Sequence, residues 1–350
     1  MSAHATQTLN RAYRRTLLRR WACLSVLAAL LLASFIADLA TGPAGLGWWD
    51  VARGLLQPQH LEPSQAVIIF DIRVPYALMA LVVGASLGLA GAEMQTALNN
   101  PLASPFTLGV GAAATLGAAL VILFRPAIGG LGADLLLPLA AFVCAFISCL
   151  LLLLVARVLG EALHTLVLFG IAMLFGINAL VGLLQFLADA DALQQIVFWT
   201  LGSLARADLQ RVALVAIVLA VCLTLALRQA WAMTSLRGGE EQARSLGIRV
   251  GRLRTFVLLR VSLLTGVATA FVGEVGFIGL VGPHVARLLL GEDHRFYLPG
   301  SALAGALLLS LASLASRALL PGVILPVGLV TAVVGVPLFI GLILARGRSL

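Results

Sequence analysis

An all-α polytopic membrane protein of about ten transmembrane helices is the fold class this sequence predicts, and three observations predict it. Of 350 residues, 61% are hydrophobic and only 11% charged, with a mean hydropathy of +1.06, more apolar surface than a soluble fold of this length can hide. The apolar residues fall into runs of roughly 17 to 25, the length that crosses the hydrocarbon core as a helix. Arginines cluster in alternate intervals between these runs, as the positive-inside rule requires of cytoplasmic loops.

The first run, 21–40, follows two arginine pairs at 11–20 and could pass for a signal sequence. No small-residue cleavage site follows it, so it reads as the first transmembrane helix, with residues 1–20 in the cytoplasm. The remaining runs predict helices near 73–97, 106–124, 135–156, 165–187, 211–228, 255–273, 276–290, 300–319 and 326–345, the eighth being short. An even number puts both termini on one side. The arginine clusters at 11–20, 157, 228–254, 287–295 and 346–348 then all lie inside, and the loops 42–71, 125–134, 188–208 and 317–325 lie outside. A single transmembrane domain, 21–345, is flanked by the cytoplasmic N-terminus and a tail at 346–350. A weak internal repeat runs through it. The stretch 73–91 is followed ten residues later by Pro101, and 254–273 ten residues later by Pro283, the first copy starting outside and the second inside.

Composition also excludes chemistries. All 23 basic residues are arginine, so the chain can form no lysine Schiff base and holds no P-loop lysine. Any ATP hydrolysis, with its ATP and magnesium, belongs to a partner. The net charge of +8 follows from arginine on one set of loops and implies no nucleic-acid partner. Cys23, Cys144, Cys149 and Cys222 all lie in apolar runs without metal-ligand spacing.

The one large polar insert, 229–254, carries Glu240, Glu241, Ala243, Arg244, Leu246 and Gly247. Glu and Ala start a helix and Gly ends it, while the flanking charges keep it in water. Its spacing, Glu241-x-Ala243-x-x-x-Gly247, resembles the short cytoplasmic helix that bacterial ABC importers present to their ATPase; a solvated interhelical loop is the plainer reading. The second helix carries Gly84, Gly88 and Gly91, which allow close helix approach, then Glu93 and Gln95, which should face protein or a water-filled path. Glu93 could also reach the cytoplasmic headgroups. Asn99-Asn100-Pro101-Leu102-Ala103-Ser104-Pro105 ends the helix in a rigid turn.

From about residue 73 to the C-terminus these motifs resemble the FecCD family, permeases of ABC importers for iron-siderophores, haem and vitamin B12. The resemblance is carried by Arg73-Val74-Pro75, Gln95, Asn100-Pro101-Leu102-Ala103, Leu108-Gly109-Val110 and Phe198-Trp199-x-Leu201-Gly202-Ser203-Leu204. It continues through the Glu241/Ala243/Gly247 insert, Gly276-Phe277-Ile278-Gly279, Pro283-His284, Arg287, Asp293-His294-Arg295, Leu325-Pro326-Val327-Gly328 and Gly335-Val336-Pro337. The resemblance implies a bacterial inner-membrane permease working as a homodimer or with a related permease. It also implies an ATPase dimer and a periplasmic or lipoprotein substrate-binding protein as partners. On it, Arg73 and Arg317 receive acidic residues of the binding protein at the outer rim, where headgroup anchoring is the alternative. Gln95, Asn100, Pro101, His164, Pro283, His284 and Arg287 fall along the pathway or its inner gate. Pro283-His284 should shape a helix break, with Arg287 binding carbonyls or lipid phosphate. An iron-siderophore cargo is favoured because the Ser310–Ser313 run looks most like iron-chelate permeases. Three positions depart from the family pattern: Tyr76 stands for a second Arg, Ser313 for an Asp, and Ile324 for a Glu.

Two other function classes remain in view. An ion-coupled secondary transporter would need intramembrane carboxylates, for which Glu93 and Glu274 are the candidates. An intramembrane enzyme would need a motif such as H-E-x-x-H, which does not occur, or a serine with a base at recognisable spacing, which Gly202-Ser203 lacks. His284 and His294 have no partner at ligand spacing on one helix, so no metal site is expected.

Overall fold

A chain surrounded by hydrocarbon must satisfy its backbone groups internally, and its apolar runs fold accordingly as helices. This computed structural model describes residues 3–42, 48–126, 132–158, 163–320 and 322–347, and helices are the only regular secondary structure among them. The chain opens with α1 (Ala3–Ala40), α2 (Trp48–Leu56) and α3 (Pro63–Ala66), which passes through a π-helical stretch, Val67–Arg73, into α4 (Val74–Ala97). Next come α5 (Val110–Phe124), α6 (Ala133–Val158), α7 (Leu163–Leu187), α8 (Ala190–Thr200) and α9 (Leu209–Arg228). The polar insert forms α10 (Ala230–Arg237) and α11 (Glu240–Ser245). Then follow α12 (Val250–Val272), α13 (Ile278–Leu290), α14 (His294–Ala318) and α15 (Val327–Gly347). Among the described residues seven helical stretches, those of α1, α4, α6, α7, α9, α12 and α14, are long and apolar enough to cross a membrane, and α5, α13 and the start of α15 are shorter apolar helices. These are the ten expected segments.

The differences lie at polar ends. The arginine-rich stretch 11–20 continues α1 without a break, since nothing there stops a helix. Two expected outer loops contain helices: α2 and α3 in the first, α8 in the third. Asp189 starts α8 by accepting the Ala192 amide at 2.7 Å. The ninth span begins at His294, capped by Asp293, and carries Pro299 inside it. The break expected at Pro283 does not occur, because α13 runs through it.

Helix α4 is the centre of the bundle, packed on α14, α12, α13 and α9. Its glycines make that possible. A Cβ on Gly88 would strike the Ser301 carbonyl of α14, and one on Gly91 would strike the Gly279 carbonyl of α13. Pro283 has no N–H to give that Gly279 carbonyl, so the proline inside α13 leaves it to face the bare backbone of α4. Arg254 of α12 donates to the Ala97 carbonyl at 2.9 Å, and Arg260, further along α12, pairs with Glu93, earlier on α4. The two helices therefore run antiparallel, as an inverted repeat demands. The two repeat prolines are not equivalent: Pro101 lies in a turn and Pro283 inside a helix.

Candidate functional site

At the arginine-rich end of the bundle, α11 stands out from the helices below it. Its closure explains the spacing of its sequence. Gly247 takes φ +80°, the Ile248 amide reaches the Ala243 carbonyl at 3.0 Å, and the Gly247 amide reaches the Arg244 carbonyl at 2.9 Å. This is a Schellman closure, which fixes Gly four residues after Ala. Ala243 is fully buried against a cluster that includes Met233, Leu236 and Val250, so only a small side chain fits there. Glu241, Arg244, Leu246 and Gly247 are exposed, and Leu246 keeps 49% of its surface in solvent. Glu240 turns inward to Arg254 and also takes a bond from Arg244 at 3.3 Å.

Behind α11 a polar network joins the insert to the core. Arg237 donates to the Asn99 side chain at 2.7 Å and to Glu292 at 3.1 Å. Glu292 lies 3.3 Å from Arg287, whose other nitrogen donates to Gln95 at 3.0 Å and Tyr297 at 3.1 Å. His294 bridges Thr96 at 2.8 Å and Thr234 at 3.1 Å. Arg20 of α1 meets Asp293 at 2.9 Å. The bond from Arg295, with the Arg20 charge assisting, holds the Asp293 carboxyl below the usual carboxylate range. Of the residues expected along the pathway, the structure brings Gln95 and Arg287 together. Asn100 and Pro101 form the turn at the foot of α4, where the Asn100 side chain accepts the Leu102 amide at 2.9 Å. Pro283 and His284 are buried in α13. His164 lies in the first turn of α7, which packs on α5, α6 and α8; its side chain falls outside the described residues.

One turn deeper, Glu93 is completely buried and ion-paired with Arg260, which also donates to Gln229 at 2.9 Å. The carboxylate considered as an ion relay is thus neutralised by a structural partner, and it does not reach the headgroups. Sequence reading passed over Arg260. Its signal was a lone cation amid an apolar run, which in a membrane calls for a buried anion.

At the far end lie the two arginines expected at the outer rim, and both have partners within the chain. Arg73 is 3% exposed and donates to the Leu39 carbonyl at 2.9 Å, capping the last turn of α1. Arg317 is ion-paired with the fully buried Asp38 of α1. The departures from the family pattern act together here. Tyr76 lays its ring 4.6 Å from the Arg317 guanidinium, and Ser313 donates to both Asp38 oxygens, at 3.0 and 2.8 Å. Both guanidiniums are engaged from within, although Arg73 Nη2 and Arg317 Nε find no acceptor, because the last turn of α1 is wedged beside them. Among the described residues no three His, Cys, Asp or Glu side chains gather into a metal-binding group.

A helical bundle of membrane-spanning length, with a solvated helix strapped to its core at one end, is the build of a polytopic membrane protein. Residues 30–345 match the FecCD transport family. The hemin transport system permease HmuU of Yersinia pestis is 36% identical over 309 residues, covering 88% of this chain and 92% of the relative. The vitamin B12 import permease BtuC of Escherichia coli is 35% identical over 348 residues, covering 97% and 99%. A solved metal-chelate type ABC transporter in an inward-facing conformation superposes with a TM-score of 0.80 at 30% identity, over 92% of this chain and 98% of that one. The chain belongs to the FecCD transport family. It is the membrane permease subunit of an ABC importer and not an enzyme, and such a subunit works with an ATPase and a substrate-binding partner.

Proposed function

We propose that the permease carries an iron-siderophore-type chelate across the bacterial inner membrane, with α11 as the surface on which the ATPase partner acts. The observation that carries this reading is the division of labour within α11. Ala243 and Glu240 hold the helix down, while Glu241, Arg244, Leu246 and Gly247 face solvent. A push on that face reaches α4 and α12 through Arg254 and Ala97, and α13 and α14 through Arg237, Glu292 and Arg287. ATP and magnesium bind the partner, and tilting of the bundle exposes the pathway to each side in turn. The arginine-rich end with both termini lies in the cytoplasm by the positive-inside rule, where its cations also meet lipid phosphate. Residues 21–345 then form one permease domain with cytoplasmic flanks at 1–20 and 346–350. Two copies, or one copy with a related permease, enclose the pathway, fed from outside by the binding protein.

The first test is a mild-detergent pull-down of the tagged protein. Co-purification of a Walker-motif ATPase, lost with Glu241→Arg and with Gly247→Leu while the permease stays in the membrane, supports the coupling face; retention by both variants rules it out. A second reading of the cargo, haem or vitamin B12, is favoured by the relatives named above. Proteoliposomes of the recovered complex, offered ferric siderophores, haem and cobalamin, separate the cargoes. ATP-dependent accumulation of haem or cobalamin alone overturns the siderophore assignment.

A further inference from the structure

Glu93 is neutralised by Arg260, but the second intramembrane carboxylate, Glu274, is not paired. It lies in the segment 273–277 between α12 and α13, and neither that segment nor residues 98–109 ahead of α5 are helical. Both reach well inside the bundle. From Arg260, which meets Glu93, α12 runs on to Val272, about 18 Å at the helical rise. Its end is thus level with about residue 81 of α4, about 10 Å inward of Val74. The start of α13 is deeper, since Gly279 faces Gly91 and the Leu87 carbonyl, and Pro105 lies beside that same glycine. Helices α5 and α13, both too short to span, therefore begin at mid-depth. Irregular backbone at such depth is tolerated only where it is buried in protein or lines a water-filled cavity.

One side of the Glu274 segment is buried: a Cβ on Gly202 or Gly328 would strike the Glu274 carbonyl. The other side is open. A Cβ on Gly276 would meet nothing within 4 Å, Thr107 is exposed, and Glu274 is only half-buried. Its carboxylate lies against the first turn of α5, where a Cβ on Gly111 would strike it, and among the described residues it has neither a hydrogen bond nor a cation. On the neighbouring α7, Leu174 packs on Gly109, and one turn further on Asn178 is exposed. A carboxylate and an amide left open in mid-span mark a water-filled path. A fixed carboxylate in such a passage attracts cations and repels anions. We propose that Glu274 faces the cargo pathway and selects by charge, passing a cationic or neutral ferric chelate, of the hydroxamate kind, in preference to a triply anionic catecholate. The proposal deepens the siderophore-type reading above and rests on it.

The test uses the permease with its co-purified ATPase in proteoliposomes. Gly276→Cys, whose side chain has room, is reacted with small thiosulfonate reagents of positive and of negative charge, and the protein without that substitution is the blank. Both reagents should react, the cationic one faster. Adding Glu274→Gln should lower the cation-to-anion rate ratio about tenfold, whereas Glu274→Asp should keep it. Thr107→Cys repeats the measurement from the facing segment. Thiols that neither reagent reaches, or a ratio unmoved by Glu274→Gln, overturn the proposal. ATP-driven uptake then reads the selection itself. With the binding protein present, accumulation of a ferric tris-catecholate relative to a cationic ferric trihydroxamate should rise about tenfold in Glu274→Gln. An unchanged uptake ratio overturns the selection. A wild type that accumulates no ferric chelate overturns the siderophore reading instead, a result the thiol rates keep separate because they need no cargo.

Discussion

Replacing Glu93 by Leu removes the only carboxylate on Arg260 among the described residues and leaves a guanidinium with 7% of its side chain exposed, facing just the Gln229 oxygen at 2.9 Å. Breaking a buried pair in this way destabilises by about 3–5 kcal/mol, because the remaining charge is stranded away from water. At about 1.4 kcal/mol per tenfold, the folded fraction relative to unfolded falls roughly a hundredfold or more. Glu93→Leu with Arg260→Leu should recover most of that loss, since a buried pair replaced by apolar residues is often neutral. What remains is the Gln229 oxygen without its donor, at about 1–3 kcal/mol if it stays dry and less if water reaches it. The assay is unfolding of the purified protein in mixed micelles, followed by tryptophan fluorescence. The four members of the double-mutant cycle should give a coupling energy of about 2–4 kcal/mol. Single variants as stable as wild type, or a double variant that loses the sum of the two, would refute the reasoning.

Three further outcomes follow from the geometry. Gly88→Leu places a side chain against the Ser301 carbonyl and should drive α4 and α14 apart, abolishing recovery of folded protein. Gly176→Ala, which meets nothing within 4 Å in α7, should hold or raise thermal stability by about 0.5–1 kcal/mol; size-exclusion recovery after heating distinguishes them. Asp38→Ser should unpair Arg317 and lower stability by about 3–5 kcal/mol. Adding Ser313→Asp, whose hydroxyl already lies 2.8 Å from an Asp38 oxygen, should return most of it, as thermal melts would record. Asp293→Asn should lower stability at neutral pH. The folded Asp293 pKa lies below its unfolded value near about 3.9, so the stabilisation is complete above that value and fades as pH falls through the folded one. Melting curves of the two proteins should therefore converge in acid.

What could be read in the sequence was what periodicity and local chemistry determine. The ten apolar segments, the solvated α11 and its Gly247 stop all depend on neighbours in the chain, and they stand where hydropathy and capping put them. Helix ends were less legible because proline is an ambiguous stop. Pro101 ends α4 within a few residues, whereas Pro283 and Pro299 sit inside helices that run on through them. Tertiary pairing was invisible. Arg317 and Asp38 are separated by 279 positions, and Arg260 and Glu93 by 167, so no local pattern announces either pair. The depth of Arg73 and Arg317 was hidden for the same reason: it depends on where α1 ends.

The Asp38–Arg317 pair bears on how substitutions in this family are interpreted. Position 313, read alone against the Asp that the resemblance implied there, would suggest a weakened outer end. In three dimensions a negative charge stands beside Arg317, supplied by Asp38 of the first helix. The first helix is therefore a fastening and not a peripheral strut, so truncating the N-terminal span of this chain would unseat an arginine nearly three hundred residues away.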